Sequence, residues 1–339
     1  QIKQQVNQQD FEILNISQSN PSDWILKNFS KKAVIGYDPM LHTPSQIKKF
    51  QEKGRETKID FIPVRDNPVD EIWDDQPSMP SNEAFLFPDN IAGQTSSEKR
   101  ENIADQLRKQ NCFGVFLTQP DSVAWILNIR GSDIPHSPFA LSRGFLNAED
   151  GSFDWFIDPE RVDNATLNHL GEHVRIHPTS HTQVILRKIA GQARETSSAI
   201  SIDHDRAPVY FLELFKENDC DVKAQEDPCL LPRARKTSSE IKAMRKTHIH
   251  DGTAMVRFLK WLEDSDPKHG LTELDVAQKI DSLRAELPEF YDTSFDTISG
   301  FGPNGAIVHY RVSEKTNLTL TPPGLLLVDS GGQYHSNQF

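Results

Sequence analysis

Apolar and polar positions recur along this chain in two rhythms, and the change between them divides it. Over residues 10–17, "DFEILNIS" alternates with the two-residue period of a strand. "SDWILKNF" then predicts a helix with Ser22 as N-cap, its hydroxyl accepting from a free first-turn amide. "KKAVIGYDP" reads as a strand, Pro44 to Lys53 as a helix and "KIDFIPV" as a strand, which makes a β-α-β unit. Residues 66–97 are rich in Pro and Asp. Trp73 and Phe85 inside them predict an ordered wrap, since a free linker has no use for packed aromatics. "SSEKRENIADQLRKQ" follows as a helix with Ile103 and Leu107 on one face, and "FGVFLT" and "SVAWILNI" as buried strands. A helix over 181–192 and a strand at "SAISID" continue the α/β alternation.

The rhythm lengthens after "EDPCLLPRARK", where two prolines mark a boundary. Thr237 and Glu240 have the spacing of a capping box, in which Glu reaches back to the cap amide. Ile241, Met244, His248, Met255, Phe258, Leu259 and Leu262 then recur at helical spacing as an apolar stripe. His248 on that stripe reads as a core histidine bonded to a neighbour rather than a ligand. A second helix starts at Thr272, with Asp275 at its third position and Leu271 stapled onto Val276. Ala277, Ile280, Leu283 and Leu287 form its buried face. "SFDTISGFG", "NGAIVHY" and "GLLLVDSGGQY" predict three strands, with Leu325 to Val328 fully buried and Asp329 raised at the strand's end. Two long helices on an antiparallel sheet make this part α+β, behind an α/β middle part.

Composition narrows the function classes. The 339 residues suffice for about two domains. A net charge of −12, without a long run of Lys or Arg, excludes a binder of nucleic-acid backbone, which needs clustered cations. No apolar run reaches the ~20 residues of a membrane helix. Cys112, Cys220 and Cys229 are scattered without metal or disulfide spacing, which predicts a reducing, cytoplasmic setting. Asn15, Asn28, Asn164 and Asn317 match N-x-S/T and matter only in a secreted protein. Gln1 in place of Met predicts a sequence that begins after processing or inside a longer protein. Gly300-x-Gly302 is followed by Pro303, so no phosphate-cradling loop is expected. "SIDHDR" (Asp203, His204, Asp205) has ligand types for a metal but reads as a charged strand-to-loop exit, and Asp74-Asp75 and the Glu263, Asp264, Asp266 group read as solvated faces.

Four tracts then occur in order over 233–334: "RARKTSSEIKAMRKTHIHDGTAMVRFLKWL", "LTELDVAQKID", "SFDTISGFGPNGAIVHY" and "LLLVDSGGQY". "VIGYDPMLHT", "DEIWDDQPSMP" and "WILNIRGSDIPHSPFALS" precede them. Together they resemble the X-prolyl aminopeptidase (aminopeptidase P) family, long three-domain form, with its creatinase-like pita-bread catalytic fold. The resemblance covers nearly the whole chain. It implies a remnant of a first domain over 1–18, a creatinase-like middle domain over 19–231, and the front of the pita-bread domain over 232–339.

The family resemblance implies a two-metal hydrolase, Mn²⁺-dependent, acting on peptides with proline at the second position. A hydroxide bridging two ions about 3.5–4 Å apart attacks the scissile carbonyl. The implied ligands are two Asp, one His and two Glu, a donor set that suits hard cations. Asp329 matches the first Asp. His309 matches the active-site histidine that contacts substrate and shuttles protons without binding metal. On the residues alone, Asp329 before Ser-Gly-Gly reads as a turn residue and His309 as a solvent-facing strand histidine.

The resemblance places the second Asp just past Phe339 and the other ligands beyond it. The expectation is therefore a large internal piece, inactive alone, with an apolar face that a homodimer or a complementing C-terminal part would cover. His335 near Asp329 cannot by itself fix the geometry a bridging hydroxide needs. The alternative is a non-catalytic pita-bread binding module. Creatinase-type cleavage of a guanidino compound shares the fold but generally lacks the carboxylate set, and Asp329 argues against it.

Overall fold

A computed structural model describes residues 2, 6–29, 32–265 and 270–335. Gln1, Asp266 and the tail 336–339 lie outside the described residues. Residues 10–17 are not a strand. Asn7 and Asn15 accept the following amides, so their turns use the donors a strand would need. Helix α1 (Pro21–Asn28) is capped by Asn20 rather than Ser22: the Asn20 side chain accepts from the Ser22 N–H, and Pro21 takes the first helical position. Strands β1 (Val34–Tyr37) and β2 (Asp60–Pro63) pair in parallel across α2 (Pro44–Thr57), as the β-α-β reading requires. Their core of Tyr37, Ile47 and Phe61 packs on Val209 and Leu212 further along the chain.

The connector is only partly a wrap. Every residue from 68 to 83 is exposed, Trp73 included. Order returns at β3 (Phe85–Leu86), and the Phe85 ring packs 5.9 Å from that of Tyr291. Helix α3 (Ser96–Lys109) starts at a capping box on Thr95 and leads into β4 (Cys112–Leu117). "SVAWILNI" is not a strand but helix α4 (Pro120–Leu127), followed by Asn128 in the left-handed region and a short β5 (Ile129–Arg130). All six residues Ser122–Leu127 are buried. A segment buried on every side shows no period, so its apolar run looked like a buried strand.

A mixed six-stranded sheet has the order β10-β9-β4-β6-β7-β8. It adds β6 (Arg143–Asn147), β7 (Phe153–Phe156), β8 (Val174–His177), β9 (Ala199–Ile202) and β10 (Val222–Ala224). Helices α5 (Thr182–Glu195) and α6 (Val209–Glu217) cover one face through Phe116, Phe156, Leu186, Phe211 and Phe215. Helices α3 and α4 cover the other through Ile103, Leu107, Leu127 and Trp155. Layers on both faces explain why β4 and β7 are apolar almost throughout.

Helix α7 (Ser238–Asp264) begins at the expected Thr237–Glu240 box. The Thr237 hydroxyl also donates to the Ala92 carbonyl at 3.0 Å, which seats the helix on the preceding body. Its buried line is Thr247, Ala254 and Phe258, whereas Ile241 and Leu259 are exposed. His248 is exposed as well, its Nδ1 2.9 Å from the Met244 carbonyl, so it is no core histidine. Helix α8 (Glu273–Ala285) buries Val276, Ala277, Ile280 and Leu283 against α7, as its period predicts.

Two antiparallel ladders lie on these helices. One pairs β11 (Phe290–Thr293) with β14 (Gly332–Tyr334), the other β12 (Ile298–Phe301) with β13 (Leu326–Asp329). "NGAIVHY" adds no strand; it forms a 3₁₀ turn over Gly302–Ala306 and a further turn through His309. The segment predicted fully buried alternates instead: Leu326 and Val328 enter the core, while Leu325 is 85% and Leu327 45% exposed.

The second ladder's neighbour is tied to the helices by charge. Arg284, buried on α8, is held by Asp251 of α7 through Nε at 2.7 Å and Nη2 at 3.2 Å. The Tyr334 hydroxyl of β14 donates to the same carboxylate at 2.7 Å. Burial pushes the Asp251 carboxyl up, but the Arg284 and Tyr334 bonds outweigh it, and the net value lies below the usual range. Asp251→Asn leaves the guanidinium buried without its anion and should cost about 3–5 kcal/mol at neutral pH. A depressed carboxyl stabilises above its unfolded value, near pH ~4, and that contribution is lost as pH falls through the folded value. Wild-type and D251N urea midpoints should therefore converge in acid. Phe258→Ala should cost about 3–5 kcal/mol. Leu259→Ala, one residue on, should stay within about 0.5 kcal/mol by the same unfolding measurement.

Candidate active site

Asp329 is the last residue of β13 and faces Ile298 across the ladder. Leu326 and Val328 point into the core, so strand alternation turns Leu327 and Asp329 outward, and the Asp329 carboxylate is exposed. The chain then crosses from one ladder to the other through Ser330 and Gly331, whose carbonyl accepts from the Ser294 N–H at 2.9 Å. Three buried side-chain oxygens lie on the same ladders or crossing, those of Ser299, Ser330 and Gln333, and have no hydrogen-bond partner among the described residues. Among those residues, no group of three or more His, Cys, Asp or Glu stands close enough to hold a metal ion. Asp329 alone does not fit a two-metal centre, which needs converging carboxylates and an imidazole.

His309 follows an exposed Ile307-Val308 pair and adopts φ 52°, the left-handed region that a non-glycine residue enters only under constraint. The loop leaves β12 at Phe301. Gly300 allows the close return, since a Cβ there would stand 2.9 Å from the Gly305 nitrogen. Arg311, two residues after His309, reaches Asp296 at 3.2 Å as an exposed ion pair.

The loop's shape is set by Glu273, a fully buried carboxylate at the first position of α8. It accepts from the Phe301 N–H at 2.6 Å, the Leu318 N–H at 3.0 Å, the Tyr310 hydroxyl at 3.0 Å and the Asn304 amide at 3.1 Å to each oxygen. The positive end of the helix favours an anion at this position. Sequence reasoning passed over Glu273. The signal was its place on the face of Val276, Ala277 and Ile280, a carboxylate within an apolar stripe.

A second loop borders the ladders. Asp133 and Arg161 form a buried ion pair, and Asp133 also accepts from the Leu141 N–H at 2.6 Å and the Asn82 N–H at 3.1 Å. These bonds stiffen the loop, whose tip, His136, reaches the β11 strand. His136 Nδ1 lies 3.0 Å from the Thr293 carbonyl and Nε2 lies 3.2 Å from Asp296. Gln333 of β14 donates to the His136 carbonyl. Phe85, Arg130, Tyr291, Tyr334 and His335 line an adjoining cavity of about 130 Å³, so His335 belongs to an aromatic wall. A cavity of about 890 Å³ bordered by Gln106, Gln225, Asp227 and Arg235 includes neither Asp329 nor His309 in its lining.

Two family models match successive stretches of the chain from residue 75 onward. The Creatinase/Prolidase N-terminal domain matches residues 75–240, and Metallopeptidase family M24 matches residues 242–338. A probable Xaa-Pro aminopeptidase P of Neosartorya fischeri is 30% identical over 319 residues, 92% of this chain and 48% of that protein. The corresponding protein of Ajellomyces capsulatus is 30% identical over 324 residues, 92% of this chain and 50% of its own length. The chain thus spans about half the length of the curated relatives it matches. Among solved structures, the X-prolyl aminopeptidase of Caenorhabditis elegans superposes with a TM-score of 0.85 at 29% identity, over 94% of this chain and 52% of that one. It is described as a cytosolic enzyme with a di-nuclear active site. A prolidase from Thermococcus sibiricus shares the fold, with a TM-score of 0.52 at 19% identity over 71% of this chain and 63% of its own. With a creatinase N-terminal-like part leading into the start of a pita-bread part, the chain belongs to the creatinase-like metallopeptidase family M24.

Proposed function

We propose that this protein works as an Xaa-Pro aminopeptidase, removing the first residue of peptides that carry proline at the second position. The observation that supports this most is the agreement, over 94% of the chain, with an X-prolyl aminopeptidase whose active site is di-nuclear. Asp329 is proposed as one ligand of a divalent pair, with Mn²⁺ the cation its hard oxygen suits. His309 is proposed to contact the peptide and carry a proton during cleavage. Since the described residues do not supply the pair with enough donors, the other ligands come from outside them, in the same polypeptide or a complementing one. A homodimer is the proposed assembly.

The proposed division keeps 1–18 as the remnant of a first domain, 19–231 as the middle domain and 232–339 as the front of the catalytic domain. A cytosolic setting is proposed from the three buried free cysteines and the cytosolic structural neighbour. Among the described residues no helix is long and apolar enough to cross a membrane.

The test compares protein purified from its natural source with the recombinant 339-residue chain. Intact mass, retained manganese after dialysis, and release of the first residue from Xaa-Pro and Xaa-Ala peptides are read for both. The source protein should retain about two ions per chain and cleave only the proline peptide. The recombinant chain should retain fewer ions and cleave neither. In the source protein, Asp329→Asn should lower metal affinity at least ~10-fold, and His309→Ala should lower kcat roughly 10²–10⁴-fold with metal content unchanged. A source protein without metal and without cleavage would overturn the proposal in favour of a non-catalytic binding module on this scaffold.

A further inference from the structure

We propose that Glu273 is a positioning residue for His309, acting through Tyr310 to fix the backbone from which the imidazole projects. The proposal rests on the reading of His309 as a catalytic residue. His309 lies between Val308, which is 81% exposed, and Tyr310, which is buried. Packing cannot hold a residue on the Val308 side, where the side chain meets solvent. The Tyr310 side is tied down completely. Its hydroxyl donates to Glu273 Oε2, with the Thr316 hydroxyl also 3.0 Å away.

The same carboxylate collects the rest of the loop. Oε1 takes the Phe301 N–H, where the loop leaves β12, and Oε2 takes the Leu318 N–H, where it returns. Asn304, in the 3₁₀ turn between them, donates to both oxygens. Exit, turn, histidine neighbour and return thus converge on one side chain that belongs to a different element. No cation pairs with it in any ion pair among the described residues, so its bonds all come from neutral N–H and O–H donors.

A glutamine cannot replace this arrangement. It offers one acceptor oxygen, and its amide would face backbone N–H and Asn304 donors that then lack a partner. The left-handed backbone at His309 is unfavourable for any side chain and persists only where its surroundings over-determine it. Releasing Tyr310 removes the constraint adjacent to it. The consequence for function is directional: peptide binding through other contacts is spared, while the placement of the proton-carrying ring is lost.

The test uses two variants, Glu273→Gln and Tyr310→Phe, the second leaving the carboxylate and its other donors in place. In metal-loaded protein from the natural source, each should lower kcat roughly 10–100-fold and leave KM within about 3-fold. Combined with His309→Ala, neither should lower kcat further, because residues that act through one another are non-additive. Losses that multiply with His309→Ala would overturn the proposal, because Glu273 would then matter only to folding. In parallel, the three-bond HN–Hα coupling of His309 and amide exchange over 302–316 are read by NMR on the recombinant chain. Both variants should shift the coupling and speed the exchange; an unchanged coupling would overturn the proposal. If the source protein cleaves no peptide, the functional reading fails by itself, and the NMR result still decides whether Glu273 positions residue 309. Should Glu273→Gln not fold, Tyr310→Phe carries the test alone.

Discussion

A fully buried carboxylate, Glu273, that pairs with no cation among the described residues is the constraint around which the end of this chain is arranged. Removing a carboxylate from water costs several kcal/mol unless hydrogen bonds replace its hydration. Glu273 recovers its hydration from Phe301, Asn304, Tyr310 and Leu318. To do so, the segment from 301 to 318 must fold back over the start of α8. A long irregular loop is otherwise expensive in entropy and poorly specified. Here one fixed charge specifies it. Asp251 does the corresponding work on the other ladder, where it joins Arg284 and Tyr334. The two carboxylates, one on each long helix, place the two ladders that flank Asp329.

Much of this architecture was legible in the sequence, wherever local chemistry and tertiary burial agree. The capping boxes at Thr237 and Thr272, the buried face of α8 and the β-α-β unit before residue 64 all follow from short-range rules. Legibility failed where tertiary contacts override those rules. Helix α4 is buried on every side and has no period to read. The "AIVHY" tract has the composition of a strand, but Asn304 and Tyr310 are drawn to Glu273 and the backbone turns instead. On α7, Ile241 and Leu259 keep helical spacing yet miss the face that meets α8, so His248 falls outside the core as well. Asp329 and His309 could be singled out only through the family resemblance, since by themselves they look like a turn carboxylate and a surface histidine.

Membership of a metallopeptidase family and the donor set of these residues bear on different levels. The fold places Asp329 at the end of a strand beside a glycine-rich crossing, where a carboxylate can approach a cation without steric hindrance. A di-nuclear centre requires several such carboxylates to converge, and convergence is a property of the whole catalytic domain. The M24 match over 242–338 speaks to the fold, whereas among the described residues no group of three or more possible ligands converges. Chemistry is a property of the completed site and not of the fold that begins it.

The exposed run from residue 68 to 83 has a consequence for how the protein would break. Such a stretch, with only one short helix, Pro68–Ile72, is where a protease finds extended backbone. Upstream of it, the β1–β2 unit does not depend on that covalent link. Val209 and Tyr210 donate their N–H groups to the His42 and Pro39 carbonyls, Ser45 donates to the His204 carbonyl, and Tyr37 and Phe61 share a core with Leu212. A nick between Trp73 and Asn82 would cut the polypeptide without separating its halves. The cleaved protein would travel as one particle under native conditions and fall into two fragments only in denaturant.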